Sequence, residues 1–133
     1  VYANYRRGGD AFARLRERAG DAAERLVAAP GDGADPEWCA ETVARIVDER
    51  GGLDLLVCNA CPTILPMWYE AATAERVHRY VADALALASH PLAASLDALT
   101  ARGGQAVVVS SVYAEKAPPN FPHYVAAKCA VEG

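Results

Sequence analysis

Short apolar runs alternate along the chain with longer amphipathic segments. The apolar runs predict β-strands, which lie at residues 1–5, 25–29, 53–58 and 106–110. The amphipathic segments between them predict helices, which begin near Asp10, Pro36, Ala74 and Tyr124. Alternation of strand and helix is typical of βαβ units, so the sequence predicts an α/β fold with a parallel sheet.

Glycine, proline and aspartate residues predict where these elements begin and end. Asp10 is expected to cap the first helix, and Gly20 to end it. Asp35 is expected to cap the second helix, with Pro36 at its first position and Gly51 after its end. These local signals predict both the start and the end of the first two helices.

Three segments carry further expectations. Residues 62–72 are too proline-rich for a regular element and too apolar for an ordinary solvent loop. The long helix predicted over 74–101 contains Pro91, which is expected to kink or divide it. The strand at 53–58, LDLLVC, is apolar at nearly every position, so we expect it to be central and covered on both faces.

Composition narrows the class of protein. The chain has 133 residues, of which 53% are apolar and 23% charged, as in one globular domain. Its net charge is −4 and its basic residues are scattered, which disfavours nucleic acid or an anionic membrane as partner. No segment reaches the roughly 20 apolar residues of a membrane-spanning helix. We therefore expect a cytoplasmic protein without a membrane segment.

The ends of the sequence suggest a piece of a longer protein. The first residue is not methionine, and the first residues do not have the pattern of a signal peptide. The last predicted helix is still in progress at Gly133. Residues 1–133 are therefore interpreted as a single partial domain.

The four cysteines, at positions 39, 58, 61 and 129, are too few for a disulfide framework, so free thiols are expected. Cys58 and Cys61 form a CxxC motif. A zinc site needs a second such pair, and a thioredoxin-like site needs the pair at the start of a helix. We therefore predict neither a metal site nor a redox site.

Three polar residues near the end of the sequence carry the candidate chemistry. Ser111 follows a predicted strand, where α/β sheets bind their ligands. Tyr124 comes 13 residues later, and Lys128 lies one helical turn beyond it, so the phenol and the ammonium share a helix face. An ammonium favours the phenolate form of a nearby tyrosine. Together with a serine hydroxyl, this pair predicts acid–base chemistry on an alcohol or carbonyl.

Each of these patterns is common by itself, but their combination resembles the short-chain dehydrogenase/reductase family. In this chain YVAAK, from Tyr124 to Lys128, follows a strand that ends in VVVSS. LDLLVCNAC, at 53–61, is similar to the family's LVNNAG segment and places Asn59 at its second asparagine. The resemblance covers almost the whole chain.

The adenosine end of the family's cofactor site has counterparts as well. Asp32, 22 residues before Asp54, falls where the family places the aspartate that contacts the adenine ring. VYANYRR, at 1–7, resembles a second strand that ends in a basic residue. In this family that arrangement accompanies a 2′-phosphate, so the resemblance implies that Arg6 contacts NADP rather than NAD.

The resemblance implies a Rossmann-like, doubly wound parallel sheet, incomplete at both ends. It also implies an NADP-dependent oxidoreductase that moves a hydride between nicotinamide and a carbonyl or alcohol, with a 3-oxoacyl thioester reductase as one subclass. Tyr124 becomes the general acid and base, Lys128 its electrostatic activator, and Ser111 the anchor of the substrate oxygen. Asn59, Tyr124 and Lys128 become cofactor contacts. A homo-oligomer through the long helix and the Tyr/Lys helix is implied too.

The chain departs from the family pattern in three places. The glycine-rich TGxxxGxG turn that holds the pyrophosphate is absent from these residues, so the 133 residues alone are not expected to bind cofactor or to be active. Position 83, 24 residues after Asn59 and 28 before Ser111, holds Asp83 where the family has a catalytic asparagine. Asp83 either takes over that role, or pairs with Lys128, or is a solvated helix residue. Cys61 replaces a glycine.

Two other functions stay open at this point. A halohydrin dehalogenase-like lyase has the same fold, but it carries arginine at the lysine position, so Lys128 disfavours it. A catalytically silent relative that serves as a binding domain would explain Asp83 and Cys61.

Overall fold

The computed structural model describes residues 1–133. In chain order its elements are β1 Tyr2–Tyr5, α1 Gly9–Ala19, β2 Val27–Pro30, α2 Pro36–Arg50, β3 Leu55–Cys58, α3 Ala74–Arg102, β4 Gln105–Val108, α4 Tyr113–Lys116 and α5 Pro122–Glu132. A 3₁₀ turn, Gly20–Arg25, follows α1. The predicted α/β class is confirmed by the alternation of strand and helix.

All strand pairing is parallel, as predicted, and it forms two separate two-stranded sheets. β1 pairs with β2, so that Tyr5 lies opposite Pro30. β3 pairs with β4, so that Cys58 lies opposite Val108. β1 and β3 do not pair with each other. The last residues of the two strands in each pair lie opposite each other. The residues that follow them therefore lie side by side at the carboxyl edge of that sheet.

The predicted helix caps are right for α2 and wrong for α1. The carboxylate of Asp35 accepts the N–H groups of Glu37 and Trp38, and Pro36 is the first helical residue. The residue before α1 is Gly8, in the left-handed conformation with φ 107°, and Asp10 lies within the first turn. The Gly8 carbonyl already accepts the first helical hydrogen bond, from Ala11, so the helix begins two residues too early for Asp10 to cap it.

The second strand also begins later than predicted. The 3₁₀ turn occupies the residues up to Arg25, so β2 starts at Val27 and includes Pro30. A proline is tolerated there because β2 pairs on one side only, and the missing N–H would face away from β1.

α3 is the longest element and runs through Pro91 without division. A proline costs one helical hydrogen bond, and the packing of α3 against α2 on one side and α5 on the other offsets this loss. Pro91 was expected to kink or divide the helix; the division is wrong. α5 begins at Pro122, which suits the first turn of a helix, and α4 is a short helix between β4 and α5.

β3 is covered on one face only. Leu55 and Val57 are 51% and 52% exposed, whereas Cys58 is buried. α3 packs on β3 and β4, and side chains alternate along a strand, so one helix covers only every second residue. The expectation that this strand is covered on both faces is wrong for these residues.

The buried residues concentrate where α3 meets α5. Tyr80 and Ala84 of α3 pack against Ala127 of α5. On its other side α3 is tied to the segment after β2, because a ring nitrogen of His90 lies 2.7 Å from the carbonyl oxygen of Ala34. No helix combines the length and the apolar character that a bilayer crossing requires.

Candidate active site

The first part of the candidate site lies at the carboxyl ends of β1 and β2. Arg6 follows β1 and Asp32 follows β2, and their side chains form an ion pair with Nη1 and Oδ2 3.2 Å apart. The Asp32 carboxylate also accepts the backbone N–H of Ala34 at 3.0 Å. These two contacts, the Ala34 N–H first and Arg6 second, lower the pKa of Asp32. The two residues expected to meet the adenosine part of a cofactor are therefore neighbours.

The second part lies where α5 passes the end of β4. The Nζ atom of Lys128 is 5.7 Å from the centre of the Tyr124 ring. The same ammonium donates a hydrogen bond of 2.6 Å to the carbonyl of Val109, and Lys128 is only 8% exposed. A buried ammonium needs such a partner. This contact fixes the positive charge beside the phenol.

Ser111 begins the turn that leads into α4. Its hydroxyl oxygen accepts the backbone N–H of Tyr113 at 3.2 Å. The ring of Tyr113 in turn lies edge-on to the ring of Tyr124, with centres 5.9 Å apart. The neighbouring Ser110 points elsewhere and hydrogen-bonds the carboxylate of Glu132. Ser111 and Tyr124 thus contact the same residue, Ser111 at the backbone of Tyr113 and Tyr124 at its ring.

A narrow crevice joins β3 to the Tyr124 helix. Its volume is about 10 Å³, roughly enough for one water molecule. Cys58 and Cys61 line it from one side, and Tyr124 and Lys128 from the other. Asn59 lies between the two cysteines in sequence and is exposed. The segment predicted to contact the cofactor is therefore beside the predicted acid–base pair.

Asp83 is not brought together with Lys128. It is exposed on α3 and forms no hydrogen bond or ion pair. Instead it lines a wider cleft of about 250 Å³ together with Arg76, Arg79 and His123. The next residue, Ala84, is the one that faces α5. Tyr124 and Lys128 line the narrow crevice, whereas Asp83 lines this wider cleft.

Two residues near Tyr124 were not singled out from the sequence. Tyr80 is buried, and its hydroxyl donates to the carbonyl of Pro62 at 3.1 Å. His123 is almost fully buried, and its Nδ1 has no hydrogen-bond partner. Burial, and secondarily the charge of Arg76, lowers the pKa of His123. Tyr80 lies one helical turn before Ala84 on the apolar face of α3, so helical spacing signals its burial, whereas nothing local signals that of His123.

All four cysteines are free thiols. Burial raises the pKa of both Cys39 and Cys58. No group of three or more histidine, cysteine, aspartate or glutamate side chains is arranged to hold a metal ion. The Cys58 thiol lies against the carbonyl of Ala88 rather than against Cys61.

Comparison with known proteins settles the class. The whole chain, residues 1–133, matches the family model for short chain dehydrogenases. The chain therefore belongs to the short-chain dehydrogenase family, and the resemblance seen in its motifs is confirmed.

One solved structure similar to the chain is that of a short-chain dehydrogenase from Streptomyces avermitilis. The two superpose with a TM-score of 0.81 at 25% sequence identity, over 99% of this chain and 47% of the other. The chain thus spans about half the length of that relative, and the Rossmann-like character of the fold follows from the superposition. No curated protein matches the chain.

Proposed function

We propose that the protein carrying this chain is an NADP-dependent oxidoreductase that transfers a hydride between a nicotinamide cofactor and a carbonyl or alcohol. The observation that carries the proposal is the placement of Lys128 at 5.7 Å from the Tyr124 ring, with its ammonium fixed on Val109. Membership of the family supports an oxidoreductase.

In this proposal Tyr124 is the general acid and base. The nicotinamide supplies or accepts the hydride, and the phenol donates a proton to the carbonyl oxygen or takes one from the alcohol. Lys128 stabilises the phenolate through its positive charge. Ser111 hydrogen-bonds the substrate oxygen, and the packing of Tyr113 on Tyr124 supports that arrangement.

The residues present fit the two ends of a dinucleotide. Arg6 is 67% exposed at the tip of β1, so its guanidinium is free to meet a 2′-phosphate, for which a planar fork of donors is well suited. Asp32 holds Arg6 at that tip and lies where the adenine is expected. Asn59 and Lys128 would contact the other end. Residues 1–133 contain no glycine-rich turn of the kind that binds the pyrophosphate, so these residues alone are expected to bind NADPH weakly.

An acyl substrate is favoured by the surfaces around the crevice. Ile64, Leu65 and Trp68 lie in the segment after β3, and Val112 follows Ser111; all four are exposed apolar side chains. Exposed apolar side chains close to a polar site are typical of a surface that binds an apolar molecule. We therefore propose a 3-oxoacyl ester or thioester as the substrate class.

The proposed setting is a homo-oligomer in the cytoplasm. Leu85 and Leu96 are 41% and 53% exposed on α3, and a second copy packing on α3 and α5 would cover them. Four free thiols are typical of a reducing compartment.

One observation favours a second candidate, the catalytically silent relative. Asp83 does not reach Lys128, so the position of the family's catalytic asparagine is not filled by an equivalent contact. The dehalogenase alternative has no comparable support, since Lys128 is a lysine in contact with a tyrosine ring.

The test is NADPH consumption by the purified full-length protein that carries this chain, with ethyl acetoacetate as the 3-oxoacyl probe. This full-length protein is the parent of all variants below. We expect turnover in the parent, and a loss on the order of 10²–10⁴-fold in Tyr124→Phe, because the proton donor is removed. Tyr2→Phe is the matched control, since it removes a hydroxyl that bonds Glu49 and Arg50 far from the crevice. Equal rates in parent and Tyr124→Phe would contradict the proposal. No turnover of a carbonyl panel by the parent would favour the silent relative.

A further inference from the structure

The segment that follows β3, residues 59–66, is held by a single hydrogen bond. None of its backbone groups pairs with another backbone group. The one intramolecular hydrogen bond that it forms joins the Pro62 carbonyl to the hydroxyl of Tyr80. The next bond along the chain is at Met67, whose N–H donates to the carbonyl of Asn120 at 2.8 Å. We name residues 59–66 the crevice loop, because Ala60 and Cys61 line the crevice beside Tyr124.

Tyr80 itself is firmly placed. It lies on α3 and is 8% exposed, in a cluster with Ala84 and Ala127. Its ring lies edge-on to the ring of His123 at 4.5 Å between centres, an attractive aromatic geometry. One side chain therefore contacts the first turn of α5 through its ring and the crevice loop through its hydroxyl.

We propose that Tyr80 is a positioning residue whose hydroxyl holds the crevice loop, with Asn59 and Cys61, in its place beside Tyr124. A phenylalanine would fill the same space and keep the contact with His123, so the hydroxyl is the part with a separate role. Burial, with smaller contributions from Cys61 and Tyr124, raises the pKa of Tyr80 to about 12. The hydroxyl therefore keeps its proton near neutral pH, where it donates to the Pro62 carbonyl.

The test uses the cysteines of the chain as reporters. Cys61 is half-buried in the crevice loop, Cys129 is exposed, and Cys39 and Cys58 are buried. Alkylation by N-ethylmaleimide, resolved by residue with mass spectrometry, measures the accessibility of each thiol. We expect Tyr80→Phe to raise the Cys61 rate relative to Cys129 by about fivefold, the factor that corresponds to the net loss of one ordinary hydrogen bond.

A buried thiol and two further variants keep the result interpretable. Cys39, on α2 and away from the crevice, stays unreactive as long as the fold persists, so its rate shows whether Tyr80→Phe is folded. Tyr2→Phe, which loses a hydrogen-bonded hydroxyl elsewhere, should leave Cys61 unchanged. If Tyr80→Phe unfolds, 4-fluorophenylalanine at position 80 fills most of the hydroxyl's volume without donating. An unchanged Cys61 rate in either folded variant overturns the proposal.

A kinetic measurement extends the test and rests on the proposed function. With ethyl acetoacetate and NADPH, Tyr80→Phe should raise KM about fivefold and change kcat by less than about twofold, because the contact of the ring with the Tyr124 helix is kept. A fall in kcat with unchanged KM would contradict a positioning role in binding. Absence of turnover in the parent would refute the proposed function alone, since the cysteine rates need no substrate.

Discussion

The two ends of the candidate site are built in opposite ways. At the tips of β1 and β2, Arg6 and Asp32 form an ion pair between side chains that remain substantially exposed. At the end of β4, Tyr124 and Lys128 lie on a helix packed against α3, with the ammonium buried. Exposed ion pairs contribute little stability and rearrange easily, whereas a buried charge keeps its partner. The strand tips are therefore suited to selecting a ligand, and the packed helix to holding reacting groups in place.

Near the Tyr124 end of the site, the largest loss of stability is expected from a substitution at Gly104, which lies between α3 and β4. A Cβ atom there would lie 2.8 Å from the carbonyl oxygen of Asp54 and 3.0 Å from that of Leu53, and backbone atoms cannot move aside cheaply. Gly104→Ala should lower the free energy of unfolding by about 2–3 kcal/mol, the range for overpacking. Urea denaturation measures the loss.

The neighbouring glycine supplies the control. Gly103 has φ 61° and open space around it, so Gly103→Ala meets only backbone strain and should cost about 1 kcal/mol. Equal losses in the two variants would mean that a side chain at position 104 does not collide with the carbonyl groups of Leu53 and Asp54.

The two ends should also respond to acid in different pH ranges. His123, at the packed end, has a lowered pKa and is neutral in the folded protein, whereas the unfolded chain binds its proton near pH 6.5. Stability should therefore fall as the pH drops below about 6.5. Asp32, at the strand tips, also has a lowered pKa, but its contribution is lost only below about pH 4.

Thermal unfolding between pH 7 and pH 5 tests this difference. His123→Phe keeps an aromatic ring beside Tyr80 and should flatten the dependence of stability on pH. His78→Ala, which removes an exposed imidazole from α3, is the matched control. Parallel curves for the parent and His123→Phe would show that His123 binds protons equally in the folded and the unfolded chain, and would contradict a lowered pKa.

The smallest effect is expected from Asp83, which belongs to neither end. An exposed carboxylate beside the packed helix is screened by solvent, so its influence on the Tyr124 phenolate is weak. Asp83→Asn should move the pH profile of alcohol oxidation to lower pH by no more than about 0.3 units. A shift of a full unit would place Asp83 in the proton path, and NADPH affinity serves as the control that should not change.

Local sequence signals predicted the features that depend on neighbouring residues. The spacing of four between Tyr124 and Lys128 puts both on one helix face wherever the helix packs. The Asp35 cap likewise needs only the next three residues. The strand and helix alternation was sufficient to predict the α/β class, and the combined motifs to predict the family.

Features set by distant parts of the chain were not predictable in this way. The exposure of Leu55 and Val57 depends on which helices cover the sheet, and the direction of Asp83 on how α3 rotates against α5. The bond from Tyr80 to Pro62 joins a helix to an irregular loop. No periodicity along the sequence encodes such a contact, because it arises only when the elements pack.

The central claim is that the strand tips select the cofactor, whereas the packed helix holds the reacting groups. One experiment on Arg6→Asp tests it most directly. kcat/KM for NADPH and for NADH is measured across the pH range, with ethyl acetoacetate as substrate. We predict that the preference for NADPH falls by at least about tenfold, since a charge-assisted contact to the 2′-phosphate is lost, while the pH profile overlays that of the parent. An unchanged cofactor preference, or a displaced pH profile, would contradict the account.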